Sequence, residues 1–108
     1  METTIRVFDI INNGFAMSDE QGFAVFQAIR SALDENSKIF LDWDKIVVTS
    51  TRFIFSAIGR FMSPEYSTYL YEQRVVDKTY DEYMDYQIKR GVQLAHQYYT
   101  DPALLLPA

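Results

Sequence analysis

The hydroxyl run Thr49-Ser50-Thr51 stands directly ahead of an apolar stripe at helical spacing, Phe53, Ile54, Ala57, Ile58 and Phe61. A hydroxyl in that place accepts one of the free amides of a first helical turn. It is also a place for phosphate. Phosphorylation there would add about −1.5 to −2 charges at the positive end of a helix, and would repel a partner surface matched to a neutral hydroxyl. The plainer role is that one of the three simply caps the helix. Arg52 follows them, a cation that opposes the dipole by a few tenths of a kcal/mol, about 1 at most. An acidic partner, a phosphate, Asp42 or Asp44 are its candidate counterparts, beside plain solvation. Asp42 and Asp44 close an apolar strand, where paired carboxylates can hold Mg²⁺ or act as acid and base. No third ligand accompanies them and Lys45 adds competing charge, so they read as strand-end and turn carboxylates.

Other chemistry lacks its residues. His96, the single histidine, has no Ser, Cys or second His at ligand spacing and reads as a residue of a helix C-terminal half. Gly-x-Gly-x-x-Gly and Gly-Lys-Ser/Thr are both absent, which removes the usual phosphate loops. With no Cys, disulfides, thiolate metal sites and cysteine nucleophiles drop out together, in keeping with a reducing cytoplasm. No metal and no cofactor is expected.

These residues need elements to position them. Ile5 to Ile11 reads as a strand, stopped by the turn signal Asn12-Asn13-Gly14, after which Phe15-Ala16-Met17 pairs back briefly. Ser18-x-x-Gln21 has capping-box spacing, and Gly22, Val25, Phe26, Ile29, Ala32 and Leu33 recur at three- and four-residue steps, so a helix starts there. Asn36-Ser37-Lys38 breaks it. Ile39-Phe40-Leu41 is apolar at every position, as in a central strand covered on both faces. Ile46-Val47-Val48 is a second apolar trio, and Thr68 to Val76 reads as a further strand. Thr79-x-x-Glu82 repeats the capping box and opens a long helix to about Tyr99, on which Tyr80, Tyr83 and Tyr86 with Met84 and Ile88 form either a partner-facing stripe or, as the default, part of the core.

The 108 residues make about one domain, with a core over about 5–99 and an apolar tail over 100–108. Fifteen acidic against ten basic side chains give a formal charge of −5, which disfavours nucleic acid and anionic membrane surfaces. No stretch approaches a membrane span and the first residues lack a signal peptide's pattern, so a cytoplasmic protein is expected. All eight Phe precede Met62 and all eight Tyr follow it, which directs a search for a protein contact to the second half, where rings carry a polar tip.

The run from Ile39 to Phe53, an apolar strand ending in Asp42, a loop, a hydroxyl pair and an apolar helix, resembles the STAS domain of anti-sigma factor antagonists. It is more similar still to the STAS-like domain family of unknown function, through Gly22, Leu41-Asp42-Trp43 and Ser50-Thr51-Arg52-Phe53. The resemblance spans about residues 5–95. It implies a partner switch: in the antagonists a Ser at the start of the second helix is phosphorylated by a histidine-kinase-like ATPase that is itself the anti-sigma factor. Thr51 matches that phosphoacceptor, with Ser50 in the place of the antagonists' Asp. Arg52 and Phe53 replace the Ser-Gly that completes the antagonist motif.

The expected fold is therefore α/β, a single small STAS-like domain with a mixed sheet of about four strands backed by three helices. The expected function is a non-enzymatic regulatory module that binds a protein through Asn12, Asn13, Thr49, Arg52 and Phe53, with Thr51 or Ser50 as phosphoacceptor. Two alternatives come from other classes: a small enzyme or ligand binder using Asp42, Asp44 and Arg52, and an acidic inhibitor that mimics nucleic acid.

Overall fold

The computed structural model describes residues 2–35 and 38–100. The tail over 101–108 and the expected break at Asn36-Ser37 lie outside the described residues, whereas Lys38 opens a strand. The class is α/β, with every described strand pairing parallel. Strands β1 (Glu2–Arg6), β3 (Lys38–Asp42) and β5 (Val75–Lys78) form one sheet in the order β1-β3-β5, and β2 (Phe15–Ala16) pairs with β4 (Val48–Thr49) in a second. The helices are α1 (Val7–Ile11), α2 (Asp19–Asp34), α3 (Thr51–Ala57), α4 (Thr68–Arg74) and α5 (Glu82–Thr100), with a 3-10 turn over Gly59–Met62. The expectation of one mixed four-stranded sheet and three helices is corrected to two parallel sheets and five α-helices among the described residues.

Two corrections share a cause, namely that helical spacing prevailed over strand propensity. Val7, Ile10 and Ile11 stand at i, i+3 and i+4, so the chain leaves β1 at Arg6 and coils, burying Val7 completely under α2. Asn12, in the left-handed region at φ 52°, closes that helix by donating its N–H to Phe8 O at 2.7 Å. Its turn leads into a parallel strand and not a hairpin. Thr68 to Arg74 likewise coils, because Ser67 Oγ accepts Leu70 N–H at 3.1 Å and caps it, leaving only Val75–Lys78 as strand.

The first capping box forms as expected: Ser18 Oγ accepts Gln21 N–H at 3.1 Å and Gln21 Oε1 accepts Ser18 N–H at 3.0 Å. The second does not. Asp81 Oδ1 takes Met84 N–H at 2.7 Å, so α5 starts at Glu82 and Asp81 does the work expected of Thr79.

Ile39 and Leu41 are fully buried and β3 is central, but Phe40 is half-exposed. The helices stack on one side, leaving the in-register row Thr4, Phe40 and Val76 on the open face, where Lys38 Nζ sits 5.4 Å from the Phe40 ring centre. Both-face coverage is thus corrected to one face. Tyr80, Tyr83 and Tyr86 are exposed, and it is Met84, Ile88, Gly91 and Ala95 that α5 buries.

Under α4 the Tyr71 ring stacks on Phe61 with centroids 5.0 Å apart, and its buried hydroxyl has no hydrogen-bond partner among the described residues. Burial, and then the charge of Asp77, push that hydroxyl's pKa well above 10.0. An unsatisfied buried hydroxyl costs more than a ring edge in the same place. Tyr71→Phe is therefore expected to be neutral or to stabilise by up to ~1 kcal/mol in urea unfolding. A loss beyond ~1 kcal/mol would show that the hydroxyl is satisfied.

Candidate functional site

Because β2 and β4 run parallel in the register Ala16↔Thr49, they deliver the starts of α2 and α3 side by side. The three hydroxyls then take different work. Thr49 is buried and donates Oγ1–H to Ala16 O at 3.0 Å. Ser50 is the cap: its Oγ accepts Phe53 N–H at 3.0 Å and donates to Met17 O at 2.9 Å, which ties α3 to the start of α2. Thr51, half-buried, makes no side-chain hydrogen bond among the described residues. Its hydroxyl is the uncommitted one.

Thr51 and the exposed Arg52 stand on the rim of a groove of about 330 Å³ between α3 and α5, with Asp19 of α2 on the same rim. The floor is Phe55, Leu94 and Tyr98. Phe55 meets Tyr98 edge to face at 5.2 Å, which fixes both rings, while Leu94 and Tyr98 stay 37% and 39% exposed. Apolar side chains open to solvent and flanked by polar ones are the make-up of a contact surface. The sequence reading missed this floor. Its signal was Leu94 and Tyr98 at i, i+4 on α5, overshadowed by the denser tyrosines at the other end of that helix.

Other expected site residues fall elsewhere. Phe53 is fully buried, edge to face with Trp43 at 6.1 Å, and Thr49 is 2% exposed, so both belong to the core and neither reaches a partner's surface. Asn12 and Asn13 are exposed but lie at the entry of β2, by Lys45 to Val48, whereas Ser50 and Thr51 follow the exit of β4. The two-residue ladder separates them. Asp42 and Asp44 line a different pocket from Arg52, so the three do not form one site. Asp42 Oδ1 accepts Asp44 N–H at 3.0 Å in the expected turn, and Asp42 Oδ2 lies 3.9 Å from Arg6 Nε. Among the described residues no three His, Cys, Asp or Glu side chains are grouped to hold a metal ion, and no helix is long and apolar enough to cross a membrane.

Trp43 Nε1 donates to Asp77 Oδ1 at 2.9 Å, pinning the strand end that precedes this region. Burial raises the Asp77 pKa above 3.8, the Trp43 hydrogen bond lowers it in part, and Asp85 raises it again. A folded-state pKa raised above the unfolded one means that the folded state holds its proton more tightly, so stability is lost as pH rises through the interval between the two. Asp77→Asn keeps an acceptor for Trp43 without the charge. It is expected to raise the unfolding midpoint at pH 7 and to flatten its dependence on pH above 3.8, as read by thermal unfolding from pH 3 to 8. An unchanged pH profile would mean that Asp77 is well solvated.

Comparison with protein families, with curated proteins and with solved structures returned no match.

Proposed function

We propose that this chain is a non-enzymatic protein-docking module whose contact surface is the α3–α5 groove, with Thr51 as the hydroxyl whose modification controls docking. The observation that carries this reading is the solvent-facing apolar floor of Phe55, Leu94 and Tyr98 directly beside an uncommitted hydroxyl. Apolar side chains grouped at the surface mark contacts, and a fixed aromatic is a good anchor for one because little side-chain entropy remains to be lost. Phosphate on Thr51 would put charge on the rim of that floor, in keeping with the partner switch that the resemblance to STAS domains implies. The partner class in that reading is a histidine-kinase-like ATPase of the cytoplasm. A catalytic reading has less support, since among the described residues the Thr51 hydroxyl is hydrogen-bonded to no base.

Affinity enrichment from the native cell tests this reading, using the wild-type chain, Leu94→Asp in the groove, and Val76→Asp on the open sheet face. The expected result is a protein retained by wild type and Val76→Asp and lost by Leu94→Asp. The same proteins retained by all three would remove the groove as the contact.

A further inference from the structure

We infer that the pocket outside the carboxyl ends of β1, β3 and β5 binds a small zwitterion with the charge arrangement of a free α-amino acid. The register puts Arg6, Asp42 and Lys78 abreast at those ends, one charged residue from each strand. Asp9, Asp44 and Lys45 complete its charged lining, around about 270 Å³. That volume is just below the usual range for ligand pockets, so the occupant is small.

The charges decide its chemistry. Three cations and three carboxylates line one pocket, yet among the described residues the only ion pair within 4.0 Å there is Arg6 with Asp42, at 3.9 Å. Asp42 is fixed in place, its side chain 8% exposed and one oxygen holding Asp44 N–H. The ammonium groups of Lys45 and Lys78 rest over the Phe8 and Tyr80 rings, 5.5 and 5.8 Å from the centroids, instead of on a carboxylate. A lone anion would meet three aspartates and a lone cation two lysines and an arginine. A ligand with both charges a few bonds apart gains on each side and is opposed on neither.

The backbone gives an independent sign. Ile46 N–H donates to Trp43 O at 3.1 Å, closing a turn whose third residue, Lys45, has φ 69°, a place where glycine or asparagine is the unstrained choice. Lysine there holds an ammonium at the pocket against local strain, as residues of ligand clamps do.

The test is a ¹H–¹⁵N NMR titration of the full chain at 0.15 M salt with the common α-amino acids one at a time. Acetate, methylammonium and inorganic phosphate serve as single-charge arms. At least one amino acid should shift the Asp44, Lys45 and Lys78 amides saturably, with each single-charge arm at least ten-fold weaker. Lys45→Gly should lose that response at least ten-fold while its unfolding midpoint rises, since glycine relieves the turn. No saturable shift with any amino acid would overturn the inference, as would phosphate or acetate saturating equally well, or Lys45→Gly binding like wild type. The α3–α5 groove takes no part in this titration, so its outcome is independent of the docking reading.

Discussion

Alanine at Gly91 is expected to destabilise the fold by about 1 to 3 kcal/mol or more, the range for forcing extra volume into a packed core. Helix α3 is held between α2 and α5, and a glycine marks each approach. A Cβ on Gly91 would lie 2.6 Å from Ile54 Cβ and closer still to Ile54 Cγ2, both on a fully buried side chain of the β-branched kind that a helix holds strongly to one χ1 rotamer. A Cβ on Gly22 would lie 2.8 Å from Phe53 O, a backbone atom that cannot swing away. The gain of about 1 kcal/mol in helix propensity from Gly to Ala does not offset either clash. At roughly 4 to 8 °C per kcal/mol for a domain of this size, the loss is plain in a melting curve. A double-mutant cycle identifies the cause. Ile54→Ala alone should cost about 2 to 5 kcal/mol as a cavity, and adding Gly91→Ala to it should cost less than Gly91→Ala does alone, because the contact with Cγ2 is gone although Cβ remains. Strict additivity would show that the branched end of Ile54 beyond Cβ carries none of the cost.

Leu94→Asp and Thr51→Asp are expected to weaken docking without harm to the fold. Leu94 is 37% exposed and Thr51 half-exposed, so neither substitution opens a cavity, and an acid in a first helical turn is neutral or slightly stabilising. In the complex, Leu94→Asp puts a charge on an apolar floor and should cost about 2 kcal/mol or more, as loss of an anchor does. Thr51→Asp should cost at least ~1.4 kcal/mol, tenfold in affinity. Arg52 shares the rim and can neutralise the new charge, so Thr51→Asp is measured in the Arg52 and the Arg52→Ala backgrounds, by calorimetry with the retained protein. Thr51→Ser should be near neutral. Unchanged affinity for Thr51→Asp in both backgrounds would end its role as a switch.

What the sequence disclosed was what local chemistry decides. The Ser18 capping box, the apolar face of α2 and a hydroxyl cap before Phe53 all rest on interactions a few residues long, and all are present. Where β-branched residues also satisfied helical spacing, as over Val7 to Ile11, propensity and periodicity disagreed, and burial of Val7 decided for the helix. Which of three adjacent hydroxyls stays uncommitted was not legible, because Thr49 donates to Ala16 O of β2 and Ser50 to Met17 O just after it, each thirty-three residues away. The groove floor was hidden for the same reason: Phe55 and Leu94 come to line one groove only once α3 and α5 pack through Gly91 and Ile54.

Site-specific photocrosslinking in the native cell tests the docking surface most directly. A photoreactive phenylalanine analogue replaces Tyr98 in the groove in one chain and Glu72, exposed on α4, in another. The account predicts a discrete cross-linked band with another protein from position 98, reduced when Leu94→Asp is added, and none from position 72. Equal bands from both positions, or a band from position 72 alone, would contradict it.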